Sequence, residues 1–250
     1  MDPEYARRYR DLYERHWWWR AREHLILATL RRYQPPGGWR TILDVGCGDG
    51  VLFDRLAAFG DVEGVEADPT TVSAAGRHRS RIHVAPFDAR FQPRKRYSLI
   101  LMLDVIEHFP DPVAAVRRAV DLLAPDGILV ATVPAFPLLW TTHDDLNHHV
   151  ARYTQRSFRA LAREAGLRVE RARYFFHWGF AAKLLVRLYE AAVRPPPAPP
   201  RVPPRSLNRL LYLASRLEQR VLTPLSLPFG SSLLVVGRPP HDRAAVGTAP

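Results

Sequence analysis

An α/β fold built on a mostly parallel, doubly wound sheet is the class the sequence predicts, and three observations predict it. Thr41-Ile42-Leu43 is an apolar run that ends in Asp44 and then in three alternate glycines, Gly46, Gly48 and Gly50, followed at once by an amphipathic run through Val51, Leu52, Leu56 and Phe59. This reads as strand, tight glycine turn, helix. Tyr97 to Leu103 (YSLILML) is continuously apolar without alternation, the pattern of a strand buried on both faces of a parallel sheet. Between and beyond these runs, short strand-like and helix-like segments alternate, which places a ligand at the C-terminal ends of the strands.

Residues Met1 to Tyr33 read as helix, with aromatic and leucine residues at helical spacing, ended by Gln34-Pro35-Pro36-Gly37-Gly38. Within it, Trp17, Trp18 and Trp19 are consecutive. They cannot all face one core, so at least one is expected to be partly exposed. Either the helix packs on the domain edge, or it forms an aromatic lid whose indole faces suit a cationic ligand. After the glycine turn, Asp61 to Asp68 reads as a second strand ending in acids, with Pro69 opening a helix and Asp68 as its cap. Ile82-His83-Val84 is a third strand and Tyr97 to Leu103 the fourth. Asp111-Pro112 opens a helix over Val113 to Leu123, and Gly127 to Val133 is the fifth strand. Residues 134–153 form a polar and aromatic insertion. Thr154 caps a helix from Gln155 to Ala165, stopped by Gly166, before a sixth strand from Leu167 to Phe176.

The C-terminal third is less regular. A helix is expected over Trp178 to Val193, an extended proline-rich linker over residues 194–205, and a second amphipathic helix over Leu207 to Leu222. Ser231 to Gly237 reads as a strand closing the sheet as an antiparallel edge, and Pro239 to Pro250 as a disordered tail. The expected organisation is therefore an N-terminal helical lid (1–38), a core (39–178) carrying the insertion, a C-terminal helical region (179–230), a final strand (231–238) and a tail (239–250).

Composition limits the function classes. The single cysteine, Cys47, excludes a disulfide framework and a cysteine-based zinc site. No apolar run reaches the ~18 residues that span a bilayer, and no secretory leader is visible, so a cytosolic protein is expected. The formal net charge of +11 would suit nucleic acid, an anionic membrane or an acidic substrate. Lys95 and Lys183 are the only lysines among the basic residues. So arginine-heavy a composition reads as codon bias, and nucleic acid is not the expected partner.

Glu66 lies 20 residues past Gly46, the distance at which an acid in a nucleotide-binding βαβ unit bonds ribose hydroxyls. With these residues in place, the chain resembles the class I S-adenosylmethionine-dependent methyltransferases over Thr41 to Phe176 and the SSLLVVG strand. Asp44-x-Gly46-x-Gly48-x-Gly50 is similar to the family's first motif and Gly64-Val65-Glu66 to its second. Asp88 falls where the family's adenine-contacting acid lies. Tyr97 to Ile100 with Asp104 to His108 resembles its fourth-strand segment, and Leu123 to Gly127 its turn before strand five. His16 to Arg22, the stretch around Trp140 to Thr154 and the terminal PFGSSLLVVGR resemble a bacterial branch acting on small molecules or lipid-linked intermediates, akin to ubiquinone-pathway methyltransferases. The resemblance implies a Rossmann-like, seven-stranded, mostly parallel sheet with an antiparallel final strand, flanked by the N-terminal helical cap and the C-terminal helices. It implies S-adenosylmethionine as cofactor, contacted by Asp44, Gly46, Cys47, Gly48, Glu66, Ala67, Asp88, Ala89, Leu103 and Asp104. Asp44 would face the ammonium end, Glu66 the ribose and Asp88 the adenine amino group. A dinucleotide fingerprint would need a further glycine at position 51, which is Val51.

Methyl transfer from a sulfonium is an in-line displacement, so alignment and water exclusion do most of the work. A neutral O–H or N–H acceptor also needs a base. Candidates are His108 after the fourth strand and His143, His148 and His149 in the insertion; each could instead order its loop. Trp17, Trp18, Trp140 and Tyr153 are the expected substrate contacts. Asp104, Glu107 and His108 resemble the segment by which ubiquinone-pathway O-methyltransferases hold a divalent ion. The same segment occurs in metal-free relatives, and no metal is expected. The leading reading is O-methylation of a small-molecule or lipid-linked acceptor. The alternatives are an RNA or protein methyltransferase, and a non-catalytic cofactor-binding module lying on the inner membrane face through the arginine-bearing C-terminal helices.

Overall fold

The computed structural model describes residues 10–222 and 225–240. The expected tail beyond these bounds and the first turns of the N-terminal helix lie outside the described residues. Seven strands form one sheet in the order β3-β2-β1-β4-β5-β7-β6: β1 (Trp39–Val45), β2 (Gly60–Glu66), β3 (Ile82–Val84), β4 (Tyr97–Leu103), β5 (Leu123–Pro134), β6 (Arg168–Phe175) and β7 (Ser232–Arg238). The sheet is mostly parallel with antiparallel strands at one end. β1 is central. It pairs in parallel with β2 (Ile42 opposite Val62) and with β4 (Ile42 opposite Leu99). β4 is buried almost throughout, as its unalternating apolar run predicts. β7 corrects one expectation. It lies between β5 and β6 rather than at the edge, and six consecutive buried residues from Ser232 to Gly237 explain why. The partly polar β6 forms the edge instead.

Two crossovers are less helical than the pattern implies. After Gly50, only Phe53–Leu56 (α2) is α-helical, because Val51 to Phe59 is all the chain available before β2 begins. The helix expected at Pro69 is a single 3-10 turn, Pro69–Thr71, whose cap is Asp68 accepting from the Thr70 N–H at 2.9 Å. Val72 is the one buried apolar side chain from Asp68 to Arg77, too little to support an amphipathic face. The remaining helices are α1 (Trp17–Tyr33), α3 (Pro112–Leu122), α4 (Thr142–Leu146), α5 (Gln155–Glu164), α6 (His177–Val193) and α7 (Arg205–Leu222). The N-terminal helix is interrupted at His16, whose backbone is extended and whose Nδ1 accepts from the Trp18 N–H at 3.1 Å. Burial pushes the His16 imidazole down to about 4, so the ring stays neutral and serves as an acceptor cap. Thr154 caps α5 through a capping box, and Gly166 beyond it takes the left-handed conformation.

The chain divides into two compact units. Among the described residues, one comprises residues 10–34, Pro134–Arg152 and Arg173–Leu233; the other comprises Pro35–Val133, Tyr153–Ala172 and residues 234–240. The expected lid, insertion and C-terminal helices thus belong to one unit, and nearly all of the sheet to the other.

Packing beneath the glycine loop leaves no room for a side chain at Gly64. A Cβ there would collide with the Cys47 sulfur and come 2.9 Å from Phe53 Cζ. Gly64→Ala is expected to lower stability by about 1–3 kcal/mol, read as a drop in the urea midpoint at unchanged slope. An unchanged midpoint would show that the loop packs differently.

Candidate active site

β1 and β4 are neighbours in the sheet although the strands that follow each in sequence lie on opposite sides, which makes their C-terminal ends a topological switch point. The loop after β1 is held there by three contacts. Gly46 N–H donates to the Val65 carbonyl at 2.8 Å, Gly50 N–H to the Cys47 carbonyl at 3.0 Å, and Gly48 N–H to Glu66 Oε2 at 2.9 Å. Gly46 has a φ of 69°, and a Cβ on it would stand 2.5 Å from Val105 Cγ2. Both the conformation and the close approach therefore require glycine. Gly48 has a φ of 53°, but a Cβ there would meet nothing within 4 Å. The loop is closed below Gly46 and open above Gly48.

Its electrostatics are acidic. Asp44 is buried at the end of β1. The Cys47 thiol is pushed far up, by burial first and then by the carboxylates of Asp44, Glu66 and Asp49. Asp44, Glu66 and Asp49 thus place three carboxylates around the loop. Carboxylates gathered here disfavour the two negative charges of a dinucleotide's pyrophosphate and suit S-adenosylmethionine, which has no pyrophosphate and carries cationic sulfonium and ammonium groups. Glu66 ends β2, and its other oxygen accepts from the Asp68 N–H at 2.9 Å. Ala67 is exposed beside it and Ala89 beside Asp88. Asp88 turns its own loop by accepting from the Arg90 N–H at 2.8 Å, and hydrogen bonding to Arg90 lowers its carboxyl. Leu103 ends β4 half-buried. Asp104 follows with a φ of 54°, its N–H donating to the Thr132 carbonyl at 2.8 Å. Open space at Gly48 and the carboxylates at both strand tips and around the loop together fit the cofactor.

Further along this unit, Ile106–His108 is a 3-10 turn with Glu107 fully buried and His108 half-buried. Tyr153 is buried too. Burial, and then the Glu107 carboxylate, push its phenol up, and its hydroxyl has no hydrogen-bond partner among the described residues. A buried phenol in that condition is an unmet donor.

The other unit holds the insertion, organised around Asp144. This carboxylate has no exposed surface, yet it accepts four hydrogen bonds of 2.8–2.9 Å: from Thr141 N–H, His149 Nδ1, Arg152 Nε and a terminal nitrogen of Arg152. Burial alone would raise its carboxyl; the His149 bond and the Arg152 charge overcome that and hold it well below the usual range. Arg152 is buried and donates also to the Ala135 carbonyl at 2.9 Å, so it clamps the two ends of the insertion. The sequence signal for this cluster is Thr141-x-x-Asp144, a capping box; the role of Arg152 has no such signal. His149 Nδ1 faces the Asp144 carboxylate, an acceptor only, which favours the proton on that nitrogen.

The remaining candidates are placed differently. Burial, with Lys183 adding to it, pushes His143 down to about 3, and its ring lies against the Asn147 amide. His148 is exposed on a left-handed turn. Trp140 is half-buried, its indole N–H donating to Asp145 at 2.9 Å. Trp17 and Trp18 are half-buried and Trp19 buried. Trp17 lies 5.0 Å from the Trp178 ring and Trp18 5.8 Å from Phe176.

The family model described as "Methyltransferase domain" matches residues 7–172. A ubiquinone biosynthesis O-methyltransferase from Bradyrhizobium diazoefficiens is 34% identical over 103 residues, which cover 38% of this chain and 40% of the relative. The chain thus spans about two-fifths of that curated relative's length. Among solved structures, a TehB-like SAM-dependent methyltransferase from Corynebacterium glutamicum superposes with a TM-score of 0.56 at 18% identity, covering 95% of this chain and 97% of the other. A SAM-dependent methyltransferase from Archaeoglobus fulgidus gives 0.53 at 15% identity, covering 86% and 93%. The two superpositions bear on the fold alone. With the family model spanning most of the chain and the acidic glycine loop suited to the ligand, the chain belongs to the methyltransferase-domain family, and S-adenosylmethionine is its cofactor.

Proposed function

We propose that this protein transfers a methyl group from S-adenosylmethionine to an oxygen of a small-molecule or lipid-linked acceptor, with His149 as the base. The observation that carries the base assignment is the Asp144–His149 pair at 2.8 Å. A carboxylate fixed on Nδ1 selects the tautomer, orients the ring and stabilises the imidazolium formed when Nε2 takes a proton. Such a base serves an O–H acceptor, whose proton must leave as the methyl arrives. The partial likeness to ubiquinone biosynthesis O-methyltransferases supports the same acceptor chemistry. His143, held neutral and weakly basic by burial, is poorly matched to proton abstraction near neutral pH.

S-adenosylmethionine, when bound, supplies an already activated sulfonium methyl. Asp44 would receive its ammonium end, Glu66 the ribose hydroxyls in exchange for one of its backbone partners, and Asp88 the adenine amino group. Gly46 and Gly48 let the backbone approach. The acceptor contacts proposed are Trp17, Trp18, Trp140 and Tyr153, of which the Tyr153 hydroxyl would offer a hydrogen bond to a polar group.

Methyl-labelled S-adenosylmethionine offered with phenol, catechol and quinol acceptors is expected to yield O-methyl ethers. Label appearing in RNA or protein instead would overturn the reading. His149→Ala should lower kcat by about 10²–10⁴-fold and leave adenosylhomocysteine affinity unchanged; equal turnover would place the base elsewhere.

Gly48→Arg should fold with a cost of about 1–2 kcal/mol for the left-handed backbone and lose adenosylhomocysteine binding in calorimetry, because the side chain fills the space above the loop. Retained affinity would move the cofactor off this loop.

Asp144→Asn should destabilise the protein by about 3–5 kcal/mol at neutral pH by stranding Arg152. Because the Asp144 carboxyl is depressed in the folded state, its stabilisation is fully present above the ordinary aspartate value of about 3.9. It is lost as pH falls through the lowered value. The deficit of the variant should therefore shrink in strong acid, as read from unfolding midpoints against pH.

A further inference from the structure

The two C-terminal helices are inside out. On α7, the side chains turned into the protein are polar. Asn208 accepts from the Trp17 N–H at 2.9 Å, Gln219 donates to the Ala21 carbonyl at 2.9 Å, and Glu218 accepts from the first two backbone N–H groups of α6, those of His177 and Trp178. Ser215, Glu218 and Gln219 are buried. The opposite side carries Leu210, Leu213, Leu217 and Val221, at three- and four-residue spacing; Leu210 and Leu217 are each 63% exposed. The second half of α6 repeats the inversion, while Trp178 and Phe180 in its first turns pack on Trp17 and Phe136. Arg187 donates to the Trp140 carbonyl at 2.7 Å, and Glu190 accepts from the Thr142 N–H and hydroxyl at 3.0 and 2.9 Å. Leu185, Leu188 and Tyr189 point to solvent, Leu185 at 67% exposed.

In water an amphipathic helix turns its apolar stripe inward. Here polar anchors hold both helices the other way round, so the exposed stripes are fixed by specific hydrogen bonds and are not a consequence of loose packing. An exposed apolar surface of this kind marks an interaction site. Charge decides what covers it. From His177 to Leu222 the acids are Glu190 and Glu218 alone, and both are spent on inward contacts. The arginines Arg194, Arg201, Arg205, Arg209 and Arg220 are exposed. A second copy laid on this face would set arginines against arginines. An anionic lipid surface would take the leucines into its acyl boundary and the arginines at its headgroups. No helix among the described residues is long and apolar enough to cross a membrane, so the contact is one of lying on the surface.

We infer that α6, the proline-rich segment after it and α7 form a docking surface for anionic membranes. The inference does not depend on which acceptor is methylated.

Flotation of the full chain with vesicles of equimolar phosphatidylcholine and phosphatidylglycerol tests it, with pure phosphatidylcholine vesicles alongside. The protein should float with the anionic vesicles, far less with the neutral ones, and dissociate as salt is raised. Arg205→Gln/Arg209→Gln/Arg220→Gln should weaken partitioning about a hundredfold, at about fivefold per arginine. Leu210→Glu/Leu213→Glu/Leu217→Glu should abolish flotation while keeping the circular dichroism spectrum and melting temperature, because those side chains face outward. If the leucine variant unfolds, the arginine variant still reads the contact. Failure of the wild type to float overturns the inference, as does flotation indifferent to both sets of substitutions. Concentration-dependent dimers in sedimentation velocity that the leucine variant abolishes, with no flotation, would assign the face to a second copy instead.

Discussion

Gly46 stands where the chain leaves β1, with its backbone pressed on Val105 at the exit of β4. The position of the glycine loop is set by that contact. The two parallel strands bring Val45 opposite Met102, so the loop after one and the turn after the other emerge side by side, and only an absent side chain lets them do so. With Gly46 fixed, the Gly48 N–H reaches Glu66, which joins the tip of β2 to the same loop. The loop is thereby tied to both neighbours of β1 by backbone geometry, and its acidic character follows from the strand ends it gathers.

The other unit solves a different problem by different means. Residues 134–152 lack a continuous apolar stripe, and a buried ion pair does the work of a core. Asp144 and Arg152 are each costly to bury alone. Together, with Thr141, His149 and the Ala135 carbonyl, they satisfy one another. One consequence is chemical. The groups that order the insertion also set the orientation of an imidazole, so loop stability and the placing of His149 draw on the same carboxylate.

Much of this was legible in the sequence, for identifiable reasons. β4 declares itself because a strand buried on both faces has no polar alternation. The glycine loop declares itself because its backbone demands leave few residue choices. Thr154 and Asp68 are readable caps because capping is local. What stayed hidden is non-local. The length of α2 is set by where β2 must begin. The insertion of β7 between β5 and β6 depends on burial on both sides of the strand. Arg152 becomes a clamp only when Asp144 is folded against it. The inverted faces of α6 and α7 escaped as well, because an amphipathic pattern gives the two faces of a helix but not which one turns inward. That is decided by partners such as Trp17 and Thr142, remote in the sequence.

The surroundings that raise the Cys47 thiol bear on handling as well as on ligand choice. Cys47 is the only cysteine in the chain, buried and surrounded by carboxylates that disfavour the thiolate. Thiolate is the form that alkylating reagents and oxidants attack. Burial and those carboxylates therefore slow such reactions at Cys47 while the protein is folded. A cysteine introduced on the surface would be labelled against almost no background, and slow reaction at Cys47 itself would time the opening of the loop.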